Sequence, residues 1–131
     1  MTARVYLDAS AALKLVVAEA ESRALEDYLA GGHRRVSSRV LDVEVTRAVR
    51  RLGPDAEDQA HALLTALELL ELNLEVTTRA GVIEPGSLRS LDAIHLASAL
   101  SLGSDLDAFV TYDARQAAAA RAVGLTVESP A

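Results

Sequence analysis

Apolar residues along this chain come in two patterns. Short continuous runs fit strands buried on both faces, and longer stretches with apolar residues every three or four positions fit helices. Arg4-Val5-Tyr6-Leu7 is a run of the first kind and ends at Asp8. Helical spacing follows over Ala11–Val17 and over Glu21–Leu29, which Gly31-Gly32 closes. Arg35-Val36-Ser37 predicts a second strand, and Ser37 or Ser38 caps a helix to about Leu52. Gly53-Pro54 stops that helix, and Asp55 caps another to about Leu72. Leu74-Glu75-Val76 predicts a third strand and Thr77–Ile83 a short helix, broken by Pro85-Gly86. Ser90 caps a helix to about Leu102. Ala108–Thr111 is a fourth strand, Ala114–Val123 a last helix closed by Gly124, and Leu125-Thr126-Val127 a fifth, edge strand. Strands alternating with helices imply an α/β fold with three α/β/α layers, its central parallel sheet having about five short strands. The 131 residues fit one domain, 1–131.

The helix from Ser90 departs from a simple amphipathic pattern. Leu91, Ala93, Ile94, Leu96, Ala97, Ala99 and Leu100 leave almost no polar face, so burial is expected. Asp92 nevertheless stands in its first turn, where an acid also favours the helix dipole.

Composition narrows the class. Half the residues are hydrophobic but only 3% aromatic, so Leu, Val and Ala must build the core. The net charge of −6 argues against nucleic-acid binding by charge alone, although a local arginine patch with a bound cation reverses the sign of one cleft. The absence of cysteine excludes disulfides and thiolate metal sites. No apolar run reaches the ~20 residues of a membrane span, and Met1-Thr2-Ala3-Arg4 lacks a signal-peptide core. A cytoplasmic protein that does not enter the membrane is the expectation.

Four acids stand apart from those that look like surface or capping residues. Asp8 follows a buried strand, and ligands in open α/β sheets collect beyond the carboxyl ends of strands. Asp113 repeats that arrangement after the fourth strand. Both could instead cap the helix that follows, unless Ser10 caps in place of Asp8. Glu44 shares a helical face with Leu41, Val45, Ala48 and Leu52, on or near the stripe toward the core; the alternative is an edge residue that pairs or reaches water. Asp92 is the fourth. Two strand ends and two flanking helices can bring these acids into one cleft, where they repel unless a cation neutralises them. Oxygen ligands without cysteine select a hard ion, Mg²⁺ or Mn²⁺, whose natural chemistry is phosphodiester hydrolysis.

The segments Asp8-Ala9-Ser10-Ala11-Ala12-Leu13-Lys14, the helical Glu44, Leu88-Arg89-Ser90-Leu91-Asp92-Ala93-Ile94-His95-Leu96-Ala97 and Val110-Thr111-Tyr112-Asp113-Ala114-Arg115 resemble the PIN domain. More narrowly, they are similar to the VapC-type toxins of bacterial type II toxin–antitoxin modules, across essentially the whole chain. The resemblance implies a Mg²⁺- or Mn²⁺-dependent endoribonuclease that halts translation by cutting RNA, often tRNA or rRNA. It places Asp8, Glu44, Asp92 and Asp113 on the family's acidic quartet, with Asp8, Asp92 and Asp113 as metal ligands. Glu44 then binds metal or positions the attacking water, and Ser10 and Thr111 are polar neighbours that face substrate. A homodimer and a VapB-type antitoxin covering the cleft are implied as well. One departure is Ala117, where some PIN domains carry a further acid or Asn that bears on a second metal site.

Arg89 and Arg115 can bind RNA phosphate or pair with nearby acids. Arg34, Arg35, Arg39, Arg47, Arg50 and Arg51 form the densest basic region, either an RNA track or a solvated face. His95 reads as a hydrogen-bonded core histidine. Leu13, Val16, Val17, Leu25 and Leu29 are either core or a groove for an antitoxin helix. A phosphoreceiver needs a late lysine, and Lys14 is the only lysine; a dehalogenase-type phosphatase needs an acid where Ser10 stands. The alternative to a nuclease is a PIN-like module that binds RNA or protein without catalysis, which predicts loss of a quartet acid.

Overall fold

The computed structural model describes residues 3–131. Five parallel strands, β1 (Arg4–Leu7), β2 (Arg34–Ser38), β3 (Glu68–Leu70), β4 (Leu106–Val110) and β5 (Val127–Glu128), form one sheet in the order β3-β2-β1-β4-β5. The chain winds outward from β1 through β2 to β3, then returns to β4 on the other side of β1. Strand order therefore reverses between β1 and β4, and a crevice opens there at the carboxyl ends of the strands.

The period of two along each strand divides the core. Val5, Leu7, Ala108 and Val110 pack into one cluster with Ala11 and Ala12 of α1 (Ala9–Lys14), Leu25 and Leu29 of α2 (Ser22–Leu29), Leu41, Val45 and Val49 of α3 (Val40–Val49) and Ala60 and Leu63 of α4 (Pro54–Ala66). Tyr6 and Phe109 point the other way. They stack at 5.4 Å between ring centroids and meet Leu96 and Ala99 of α6 (Ser90–Leu100) and Ala119 and Ala120 of α7 (Ala114–Ala122). Alanine at these helix positions lets α6 and α7 lie close to a sheet whose few aromatics supply the bulk. No described helix is long and apolar enough to cross a membrane.

The third strand differs from its expected place. Leu74–Val76 is not a strand but the first turn of α5 (Leu74–Val82), because Asn73 is extended and its Oδ1 accepts the Val76 N–H at 2.9 Å. The strand lies earlier, at Glu68–Leu70, because α4 ends at Ala66 and Leu67 turns extended. A three-residue apolar alternation did not distinguish a strand from the start of a helix; the Asn73 cap does. Helix α4 begins at Pro54, one residue before the expected Asp55 cap, as proline suits a first helical position, while α3 has already ended at Val49 rather than near Leu52. The apolar set at the front of the chain belongs to the core. Val16, Leu25 and Leu29 are buried, with Leu13 and Val17 packed on them, so they form no open groove.

Replacing Asn73 by Ala is expected to cost about 1 kcal/mol of stability. Amide hydrogen exchange should quicken in residues 74–82 and stay unchanged in β1 and β4.

Candidate active site

Asp8 begins where β1 ends. Its backbone N–H reaches across to Val110 O of β4 at 3.3 Å, which seats it in the crevice between the two strands. It does cap α1: Oδ1 accepts the Ala11 N–H at 3.1 Å. Ser10 does not displace it as cap but donates to the same oxygen at 2.6 Å, and Thr111 donates to Oδ2 at 2.5 Å. Three donors thus hold a carboxyl that is only 3% exposed. Burial still raises its pKa above the ordinary aspartate value, against the lowering effect of these bonds.

Thr111 is fully buried and also accepts the Asp113 N–H at 3.1 Å. Ser10 accepts the Tyr112 N–H at 2.9 Å. The two hydroxyls expected to face substrate are therefore turned to Asp8 and to the backbone of the β4–α7 turn. Asp113 caps α7, with Oδ1 accepting the N–H groups of Arg115 and Gln116 at 2.8 and 3.1 Å, and remains exposed. Capping and site roles coexist here because a cap occupies one carboxylate oxygen.

Asp92 lies in the first turn of α6 and lines, with Asp113, Ser87, Leu88, Arg89, Ala114 and Arg115, a cleft of about 440 Å³. Its pKa is raised, first by burial and then by the charges of Asp113 and Asp8, with Glu44 adding to them. His95 acts in the opposite sense. Asp92 and Asp113 share one cleft. Glu44, on α3, is held by a bond of 2.6 Å between Oε1 and Nε2 of His95, and its side chain is 15% exposed. Glu44 also lines a second cleft of about 530 Å³ with Arg47, Ala48, Arg50 and Arg51. Leu41 and Val45 of its expected face are buried, whereas Leu52 lies past the helix end and is exposed.

Among the described residues no group of three or more His, Cys, Asp or Glu side chains converges as a ready cage for a metal ion. The carboxylates are instead partly engaged, by Ser10 and Thr111, by the α7 amides and by His95. Such a donor set suits a cation that binds one or two carboxylates and keeps its waters, which is the habit of magnesium.

Two residues that sequence reasoning missed tie the site together. Gln116 is fully buried, and its Nε2 donates to the Asp92 backbone carbonyl at 3.0 Å, so α7 sets the position of the α6 amino end. Tyr6, whose hydroxyl meets His95 Nδ1 at 2.7 Å, is the other. No local signal marks either one; both looked like ordinary helix and strand positions. The arginines separate into two groups. Arg4, Arg34 and Arg39 are paired with Glu68, Asp105, Asp42 or Glu71. Among the described residues, Arg47, Arg50, Arg51, Arg89 and Arg115 have no acid within ion-pair distance, and neither do Arg23, Arg35, Arg79 and Arg121.

The chain matches the profile of the PIN domain over residues 5–122. It is 45% identical over 128 residues to the ribonuclease VapC46 of Mycobacterium tuberculosis, covering 98% of each chain. Among solved structures it is similar to VapC20 of Mycobacterium tuberculosis, a toxin that cleaves the sarcin–ricin loop. That match has a TM-score of 0.75 at 18% identity and covers 96% of this chain and 99% of the other. A toxin–antitoxin complex from Klebsiella pneumoniae matches with a TM-score of 0.70 at 17% identity, covering 97% and 98% of the two chains.

Asp92→Asn should stabilise the cation-free protein at neutral pH, read as a higher Tm. Because the folded-state pKa of Asp92 is raised, its favourable contribution is complete below the ordinary aspartate value and is lost as pH rises through the folded value. The advantage of the variant should therefore shrink as pH falls toward the carboxylate range, and shrink again when Mg²⁺ is added to both proteins. Differential scanning calorimetry across pH checks each part.

Proposed function

Because the chain belongs to the PIN domain family, and within it to the VapC-type ribonucleases, we propose that it is a Mg²⁺- or Mn²⁺-dependent endoribonuclease, the toxin of a type II toxin–antitoxin pair, with tRNA or rRNA as substrate. What supports this reading is the place of Asp8 and Asp113 just past the ends of β1 and β4, with Asp113 and Asp92 lining one cleft there.

Asp92 and Asp113 would hold the cation through oxygens that the α7 cap leaves free, and Asp8, whose two oxygens both accept hydrogen bonds, would reach it through a remaining lone pair. When bound, a divalent ion polarises the scissile phosphate and neutralises the charge that builds on it. Glu44 has one oxygen engaged by His95 and the other, Oε2, without a hydrogen bond, suited to orient the attacking water. Arg89 and Arg115 border the acids, and Arg47, Arg50 and Arg51 border Glu44. Guanidinium groups without acidic partners on both sides of the acids can hold successive phosphates of an RNA strand. They also answer the net charge of −6, which would otherwise repel RNA.

The reading extends to partners. A VapB-type antitoxin is supported by the toxin–antitoxin complex of the same fold. A homodimer is supported by the family resemblance and by the exposed apolar side chains of Leu74 and Val82 on α5.

Cleavage of RNA by the purified protein should require Mg²⁺ or Mn²⁺, stop with EDTA, and fall roughly 100-fold or more in Asp8→Asn and in Asp92→Asn. Activity unchanged by both substitutions ends the proposal. Replacing Arg47, Arg50 and Arg51 together by Gln should weaken RNA binding and lower the slope of log affinity against log salt by about 2, as loss of three phosphate contacts on a single strand requires. Fluorescence anisotropy with labelled RNA measures both.

A further inference from the structure

A chain of buried polar groups runs from the sheet to Glu44. The Tyr6 hydroxyl on β1 and His95 Nδ1 on α6 are 2.7 Å apart, and His95 Nε2 lies 2.6 Å from Glu44 Oε1 on α3. The imidazole has no solvent exposure, and the Tyr6 ring meets it edge-on at 5.7 Å. A carboxylate only accepts, so a ring hydrogen is assigned to Nε2, and Nδ1 faces the Tyr6 hydroxyl, which can donate or accept. Burial drives the Tyr6 pKa far upward, so its hydroxyl keeps its proton beside Nδ1. Ser37 and Ser98 lie against the Tyr6 oxygen, and Ser37 is itself tied to Leu7 O at 2.7 Å.

Packing alone does not call for this arrangement. Position 95 is on the buried face of α6, where an aliphatic residue fills space without polar groups to satisfy. The chain instead ends on a carboxylate that lines a cleft, and it reaches that group through three elements distant in sequence. A glutamate on a helix has several rotamers open to it, and fixing one carries an entropic cost that a rigid donor offsets.

We propose that His95, oriented by Tyr6, is a positioning residue that fixes the Glu44 carboxylate by one oxygen and keeps the other free for the attacking water. The proposal rests on the nuclease reading for the role of Glu44. The hydrogen-bond chain itself is a property of the fold.

Tyr6→Phe removes one oxygen and retains the ring on Phe109. It should lower kcat for RNA about 10-fold with KM within about 2-fold and Tm within a few degrees, the scale of loss when a group that orients a reacting residue is removed. His95→Leu should lower kcat further. His95→Gln, whose amide can donate to Glu44, should recover part of the loss and make Tyr6→Phe without further effect. In a Glu44→Gln background, His95→Leu should change kcat no further, because the two act as one unit. Nitrogen NMR of the His95 ring in the wild type should show hydrogen on Nε2, and Tyr6→Phe should shift the Nδ1 resonance. Unchanged kcat in Tyr6→Phe and His95→Leu, losses that follow Tm alone, or additive effects with Glu44→Gln would each overturn the proposal. A ring protonated on Nδ1 alone overturns it independently of activity. A wild type that fails to cut RNA with either cation defeats the nuclease reading and the positioning role together, and the NMR result then still decides whether the hydrogen-bond chain exists.

Discussion

A carboxyl group almost removed from water, at the point where the strand order reverses, constrains much of this molecule. Asp8 is tolerated there because Ser10, Thr111 and the Ala11 amide surround it. An unsatisfied carboxylate at such a depth would cost several kcal/mol. Its donors come from α1 and from the end of β4, so β1 and β4 must be neighbours in parallel register, Leu7 beside Val110. The same register brings Asp113 to the next turn, and Thr111 joins the two acids by donating to one and accepting from the backbone of the other. The fold and the acidic crevice are therefore one arrangement.

Electrostatics makes that arrangement useful. Burial raises the proton affinity of Asp8, and burial with the neighbouring acids raises that of Asp92. Some charges elsewhere are paired. Lys14 is nearly buried between Glu21 at 2.9 Å and Glu19 at 3.6 Å, with the Tyr112 ring 4.8 Å away. Arg39 bridges Asp42 and Glu71. The guanidinium groups that line the two clefts carry no such partner.

Much of this was legible before any coordinates. A buried run followed by an acid marked both Asp8 and Asp113, since strands of a parallel sheet end in such crevices. The stripe of α3 marked Glu44 as facing inward, and the apolar surround of Asp92 marked it as out of place for a solvent acid. His95 was read as a hydrogen-bonded core residue, which it is, but its contact with Glu44 could not be read from a chain in which the two are 51 positions apart. The misplacement of β3 came from the same cause on a smaller scale. Leu74-Glu75-Val76 alternates as a strand does, and the Asn73 side chain, within three residues, decides for a helix. Glu68–Leu70 becomes a strand because β2 lies beside it.

Periodicity, caps and breaks depend on groups within about four residues of one another, so the chain alone dictates most elements, the two-faced sheet and the acids that stand at its strand ends. Which hydroxyl holds Asp8, which amide fastens Asp92 to α7, which ring steadies Glu44 and which arginines stay unpaired depend on atoms brought together from 24 to 103 positions apart. Those choices belong to the packed structure, because burial decides which polar groups must find a partner and packing decides which partner is within reach.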